Sequence, residues 1–432
     1  MPLKLIHGPL NSGRAGLVRR RFAAVLERDP ILVVPNEDDV FAFERELCED
    51  GAILGGSAMT FGALFRTIAT VAGAPPGAEL SPAQRLRAIA VAVDASIGRL
   101  GPLRRSASRP GFARAFERLL DELQAAGVEP TAVEASAATL EGSAYLSDIA
   151  TLFAAYADAR DRIGRIDTHG IAREAIALLH RDGGFWGERP LFLYGLDDLT
   201  PNQLELVEAL AAQTEVTVAL PFEPGNAALA ARARLLVELR ERIGVVEEEL
   251  TAADPSNTES ALLYHLSRGF GASGPELQPA GAGLGLLRSA GTRGEAEAIA
   301  GEASKLIHGG ADPAQVAVAL RDPQRRGPEI ATALEANGIA TALEAELPVA
   351  GTAVGGALVA LLEAEFGAGR AADLLRYLRG PSGFSQGRVD WLERALRRGR
   401  VQDAETALAL WQGEAGKPPR DLKRLRAAAE RS

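Results

Sequence analysis

Three observations predict an α/β fold with parallel sheets, phosphate-loop-type domains and helical insertions. Residues 4–35 read as strand, glycine loop, helix, strand: Lys4-Leu5-Ile6-His7 enters Gly8-Pro9-Leu10-Asn11-Ser12-Gly13-Arg14-Ala15-Gly16, a helix follows over 17–26, and Ile31-Leu32-Val33-Val34 ends at Pro35. Short apolar runs bounded by turns return at 190–195 and 216–221, and again beyond 284. Between the first two sets, residues 75–185 carry helical periodicity and no convincing strand. In a parallel α/β domain the loop at the C-terminal end of the first strand faces ligand.

Taken in order, residues 36–48 form a helix with Val40, Phe41, Phe43 and Leu47 as its apolar positions. Ser57-Ala58-Met59-Thr60-Phe61 is strand-like and a helix fills 62–71, which puts Thr60 at a junction that can cap a helix, bind a phosphate or merely turn. A Gly/Pro break at 73–77 precedes Ser81-Pro82, a cap and first-turn proline for a helix to 97. A polar, arginine-rich linker spans 98–110. The next helix, 111–126, carries Phe112, Phe116, Leu119, Leu120 and Leu123 on one stripe, and helices follow at 131–140, 144–163 and 168–179. Pro190-Leu191-Phe192-Leu193-Tyr194-Gly195 is a strand. Thr200 caps and Pro201 opens the helix 202–212, a strand runs over 216–221, and a helix over 226–243.

Residues 253–283 are rich in Gly, Pro and Ser around a short helix at 260–267 and form the clearest boundary. Beyond it a second α/β unit is expected, with strands at 284–289, 316–320 and 341–343 and helices between. The predicted division is therefore 1–74 with 186–252 as the first α/β domain, 75–185 as a helical insertion, 253–283 as a linker, 284–370 as the first part of a second α/β domain, and 371–432 as a helical segment. Its charge-rich ending is expected of a portion of a larger protein.

A chain of 432 residues with 47% hydrophobic composition is globular and holds two or three domains. Its single cysteine, Cys48, rules out a disulfide framework or a cysteine-built metal cluster within the chain. Five scattered histidines form no metal-binding motif, so no metal ligands are expected. There is no stretch of 18 consecutive apolar residues and no basic-then-apolar start, so a cytoplasmic protein is expected. The net charge of -10 argues against indiscriminate polyanion binding but is compatible with a local basic groove. Arginines cluster at 19–21, 104–105, 325–326 and 394–400, where solvated helix faces are the plain reading.

Gly8 and Gly13 keep the G-x-x-x-x-G spacing of a phosphate loop, but Arg14 and Ala15 stand where lysine and a hydroxyl residue are needed. Arginine can still fork onto phosphate; alanine cannot ligate Mg²⁺. Three readings stay open: a vestigial loop that supports the fold, a nucleotide site that hydrolyses weakly, and chance spacing. The acidic pair that would complete the site is shifted: Gly195 follows the strand, and Asp197 and Asp198 lie beyond it in a turn, where capping duty competes with metal binding. Arg288, Arg293 in Gly291-Thr292-Arg293-Gly294, and Arg321 sit at further anion-capable turns, and Arg19 and Arg66 join them as candidate anion or DNA contacts, with Thr60. No carboxylate-and-lysine pattern of a metal-dependent nuclease is present.

The altered loop, the 57–61 junction, the helical insertion, Phe192 to Gln203, Glu215 to Pro221, Gly291 to Glu297, Val316 to Pro323 and Glu346-Leu347-Pro348-Val349 together resemble a known family. It is the helicase-like N-terminal region of the B subunit of bacterial ATP-dependent helicase–nucleases, of the AddB or RexB type, among the PD-(D/E)XK nuclease proteins. The resemblance implies a superfamily-1 helicase-like fold inactive as a motor, binding of DNA ends or single-stranded DNA, pairing with an ATP-hydrolysing AddA-like subunit, and a role in recombination and double-strand-break repair. It also implies a C-terminal nuclease domain that these residues lack, and ATP with Mg²⁺ only weakly or within the complex. A weak nucleotide-binding regulator and a protein-interaction scaffold without DNA contact are the alternatives.

Overall fold

The apolar strands are hydrophobic on both pleat faces, so the sheet they form must be covered on both sides. In the computed structural model, which describes residues 3–48, 51–71, 73, 79–109, 111–140, 143–251, 261–279, 283–345, 348–381 and 383–415, that is the arrangement of the first of two compact units, 1–285 and 286–432. The break at 74–77, Glu346-Leu347 and the tail after 415 lie outside the described residues.

The first unit runs β1 (Leu3–Gly8), α1 (Arg14–Ala23), β2 (Ile31–Val34), α2 (Glu37–Leu47), β3 (Ser57–Thr60), α3 (Phe61–Val71), α4 (Pro82–Ser96), α5 (Arg104–Ala107), α6 (Phe112–Ala125), α7 (Pro130–Thr139), α8 (Ala144–Ile163), α9 (Thr168–Arg181), β4 (Leu191–Tyr194), α10 (Pro201–Ala211), β5 (Val216–Pro221), α11 (Ala233–Arg242), β6 (Val245–Glu249) and α12 (Ala261–Gly269). The six strands make one all-parallel sheet in the order β3-β2-β4-β5-β1-β6. Alternation divides the core. Leu3, Leu5, Ile31, Val33, Leu191, Leu193, Val216 and Val218 pack with α3, α9, α10 and α11. Ile6, Leu32, Val34, Phe192 and Ala219 pack with α1 and α2 on the other face, where the Phe22 ring meets Phe43 and Phe192 edge-on at 5.3 and 5.7 Å.

Two chain crossings join the helical insertion to the sheet. Glu79 and Ile166 form an isolated parallel bridge, and Leu80 N donates to Ile166 O at 2.8 Å. Beyond them α4, α6, α7 and α8 share a separate core around Ile89, Phe116, Leu120, Leu152 and Tyr156. Helix α9, which the sequence places in the insertion, lies instead in the sheet core through Ile171, Ala175, Ile176 and Leu179. Edge strand β6 was not anticipated, because Glu247, Glu248 and Glu249 follow its two valines and erase the apolar pattern. Part of the predicted linker is pinned to the first unit: Arg268 of α12 pairs with Glu223, and Asn226 Nδ2 donates to Ser267 O at 3.2 Å.

The second unit holds α13 (Gly291–His308), α14 (Pro323–Ala336), α15 (Ala353–Phe366), α16 (Ala371–Arg379), α17 (Gln386–Gly399) and α18 (Ala404–Ala415). The second parallel sheet expected from the sequence is not formed among the described residues: 284–289, 316–320 and 341–343 carry no ladder. Val316 and Leu320 do pack on the α13–α14 core of Ala296, Ala300, Ile330 and Leu334, so the apolar pattern is real. A strand also needs a hydrogen-bonded neighbour, and these segments have none among the described residues. The last four helices form their own cluster around Leu374, Leu378, Leu392 and Trp411. No helix among the described residues is long and apolar enough to cross a membrane.

The insertion is locked to the sheet by Asp167, whose side chain is fully buried. It caps α9 by accepting from Gly170 N at 2.8 Å, and also accepts from Gln124 Nε2 at 2.8 Å and the Tyr156 hydroxyl at 3.1 Å, with Arg160 at 3.6 Å. Burial pushes its pKa up, but these hydrogen bonds and the arginine outweigh burial and hold it below the ordinary carboxylate range. Its contribution to stability is therefore complete above the unfolded pKa, about 3.9, and is lost as pH falls through the folded value. Asp167→Ala, which leaves three buried donors without their acceptor while Arg160 keeps Asp161 at 2.8 Å, is expected to cost about 3 kcal/mol in urea unfolding at neutral pH. The stability gap between wild type and Asp167→Asn should narrow steadily as the titration is carried below about pH 4.

Candidate functional site

β1 ends in a loop whose conformation depends on two glycines. A Cβ at Gly8 would stand 2.8 Å from the Leu250 carbonyl oxygen, so the close approach of the chain after β6 requires glycine. Gly13, at φ 76°, is left-handed and starts α1, and Asn11 shares that region at φ 58°. The spacing of a phosphate loop is thus accompanied by a matching strand-to-helix turn.

Its interior is occupied by its own side chain. Arg14, at the first position of α1, is 9% exposed. One terminal nitrogen donates to Gly8 O at 2.7 Å, to Pro9 O, and to Ser12 Oγ at 2.7 Å. The loop therefore presents acceptors to a cation at the position where a phosphate loop presents N–H donors to an anion. Burial pushes the Arg14 pKa down and nearby Arg232 adds to this, while Tyr194 opposes it. Arg14 Nε and Arg232 Nε are both buried without a hydrogen-bond partner. Arg232 is anchored by an ion pair to Asp197. Tyr194, at the end of β4, has its own pKa raised by burial. Neither Arg232 nor Tyr194 was singled out by the sequence, since neither belongs to a spacing motif.

The two acids are not arranged as metal ligands. Asp197 is taken by Arg232, and Asp198 is exposed in the turn before the Thr200–Gln203 capping box of α10. Among the described residues no group of three or more His, Cys, Asp or Glu side chains could hold a metal ion. Ala15 opens onto a cavity of about 260 Å³ at the C-terminal edge of β2 and β4, lined also by Asp39, Glu46 and Tyr194. Two carboxylates in so small a space disfavour a polyphosphate.

The other candidates are dispersed. Thr60 serves as a cap: Ala63 N donates to its Oγ1 at 3.4 Å, and its own hydroxyl donates to Glu37 at 3.4 Å. Arg66 Nε is held by Glu79 at 2.8 Å, beside the crossing into the insertion; this hydrogen bond raises the arginine's pKa. Arg19 faces Glu46 at 3.6 Å. Arg293 forms an exposed pair with Glu297 at 3.0 Å on α13. Arg288 and Arg321 are exposed in the second unit, the latter just before the Asp322 cap of α14.

A family model described as ADDB, N-terminal, matches residues 5–238, just over half of the chain, spanning β1 to α11 and the whole helical insertion. No curated protein matches the sequence.

Because Arg14 fills the loop, Arg14→Ala should leave three acceptors facing an empty, wettable space. It is expected to cost about 1–3 kcal/mol by denaturant unfolding. Ala15→Ser, which points into the cavity beside the loop, should change stability by less than about 1 kcal/mol.

Proposed function

This chain belongs to the AddB N-terminal family, and we propose that it is the non-motor, DNA-holding part of an AddAB-type helicase–nuclease that processes DNA ends in double-strand-break repair. The observation that carries the non-motor reading is the Arg14 side chain seated in its own loop, with Ala15 beside it in place of a metal-binding hydroxyl. A Mg²⁺-nucleotide needs a lysine on the β/γ-phosphates, a hydroxyl on the metal and an acidic partner. Here the first is replaced by a cation turned onto carbonyls, the second by a methyl group, and the third by an aspartate paired with Arg232. The sheet with its loop stands as the first motor-like domain of a superfamily-1 scaffold. The helical insertion stands as its 1B-like part. An AddA-like partner subunit supplies ATP hydrolysis, and this chain holds and positions the strand.

The test is binding of the purified chain to blunt and 3′-tailed duplex across a salt series, with and without ATP and Mg²⁺, followed by fluorescence anisotropy. Micromolar or tighter binding that salt weakens and ATP leaves unchanged is expected, since phosphate contacts release counterions and the loop takes no nucleotide. Saturable ATP binding that changes DNA affinity would transfer the assignment to a nucleotide-dependent regulator. Absence of DNA binding at low salt would remove the DNA-holding reading.

A further inference from the structure

In a chain of net charge -10, residues 99–118 carry Arg99, Arg104, Arg105, Arg109, Arg114 and Arg118 against the single Glu117, a local charge of +5. All six arginines are exposed, and no ion pair or hydrogen bond joins any of their guanidinium groups to another described residue. Arg21, Arg66, Arg85, Arg173, Arg189, Arg240, Arg242 and Arg379, by contrast, each hold a carboxylate within 3.2 Å; Arg288 and Arg321 are also exposed and without an ion pair among the described residues, but stand singly.

The backbone that presents them is fixed from below. The Asp148 carboxylate of α8, only 4% exposed, accepts from Gly101 N at 2.9 Å and Leu103 N at 2.8 Å, which ties the turn before α5 to the insertion core. α5 packs against α6. On α6, Arg114 and Arg118 are four residues apart and so share one face. Phe116 and Leu120 lie on the opposite side, buried in the insertion core. The cations are thus set along an ordered surface rather than on a loose tail.

We propose that this α5–α6 surface of the helical insertion is the contact for the phosphodiester backbone of duplex DNA. The inference rests on the DNA-holding reading above and places its electrostatic contact away from the altered loop. Guanidinium groups free of carboxylates are available to phosphate oxygens, and their displacement of condensed counterions drives binding. The duplex, rather than a single strand, follows from the aromatic residues: single strands are gripped by stacking on exposed rings, whereas Phe112 and Phe116 of this stretch stack on each other against the insertion core. The remaining chain, at -15 once this stretch is set aside, repels phosphate elsewhere and orients the approach.

The experiment compares the full chain with Arg104→Ala/Arg105→Ala/Arg109→Ala, and with Arg234→Ala/Arg293→Ala/Arg397→Ala as a charge-matched control on arginines already paired with glutamates. Affinity for a short labelled blunt duplex is read across a salt series, with thermal melts confirming the fold. The first variant should bind at least about ten-fold more weakly, and its plot of log affinity against log salt should flatten by about 2–3, near 0.9 for each phosphate no longer neutralised. The control should match wild type. If wild type binds and the first variant keeps its affinity and slope, or is weakened no more than the control, the surface is wrong while the DNA-holding reading stands. If wild type fails to bind at low salt, both fall. Tighter binding of the single strand than of the duplex overturns the duplex assignment.

Discussion

A parallel sheet must be covered on both faces, and the first unit is organised by that requirement. Strands such as Ile31–Val34 and Leu191–Tyr194 supply apolar side chains alternately to the two sides. The helices that follow them are therefore needed as much as the strands themselves. This is why α9 sits in the sheet core although it follows the insertion directly: without Ile171, Ala175 and Leu179, one face of Leu191 and Leu193 would meet water. It also explains why the insertion can be large. It leaves and re-enters at a single bridge, between Glu79 and Ile166, and needs only that junction to be secured.

Polar contacts at that junction secure it. Asp167 draws in donors from α6 and α8 and the backbone of α9, while Glu79 holds Arg66 of α3 and Thr168 of α9. Asp121 of α6 adds Arg85 at 2.6 Å and His169 at 3.4 Å. Asp167, the fully buried one of the three, is costly to bury alone and is stable because its partners come from different elements. Specificity of the insertion's placement thus comes from polar contacts, while its internal stability comes from the apolar cluster around Tyr156 and Leu152. Asp148 of α8 holds the turn beside the exposed arginines to the same insertion.

The first unit was legible in the sequence because its strands are short, apolar and bounded by turn residues, and because Ser81-Pro82 and Thr200-Pro201 are complete helix starts; both proved to be capping boxes. Edge strand β6 was hidden because an edge needs only one covered side and tolerates charge, so Glu247 to Glu249 read as surface. The segments at 284–289, 316–320 and 341–343 show the converse: an apolar run states that a side chain can be buried, not that a backbone has a partner. At the site, the replacement of lysine by Arg14 was plain from spacing. The direction in which its guanidinium turns was not, because that depends on the carbonyls of Gly8 and Pro9 and on Arg232, more than two hundred residues away.

Charge gives the same lesson at the scale of the whole molecule. Net charge counts every ionised group once, but binding is governed by the cations left over after the protein has satisfied itself. Arg19, Arg66 and Arg293 looked suitable by position, yet all three face a glutamate. A phosphate would have to compete with a carboxylate already in place, and exposed pairs of this kind contribute only about 0–1 kcal/mol to stability, so they weaken a contact without forbidding it. Arg14 is more firmly committed, since leaving its loop would strand buried acceptors. The arginines of 99–118 carry neither penalty: they are exposed and unpaired among the described residues, and the turn Gly101–Leu103 next to them is held by Asp148. In an acidic protein, the proposed polyanion contact is therefore better sought where carboxylates are locally absent than at the altered loop.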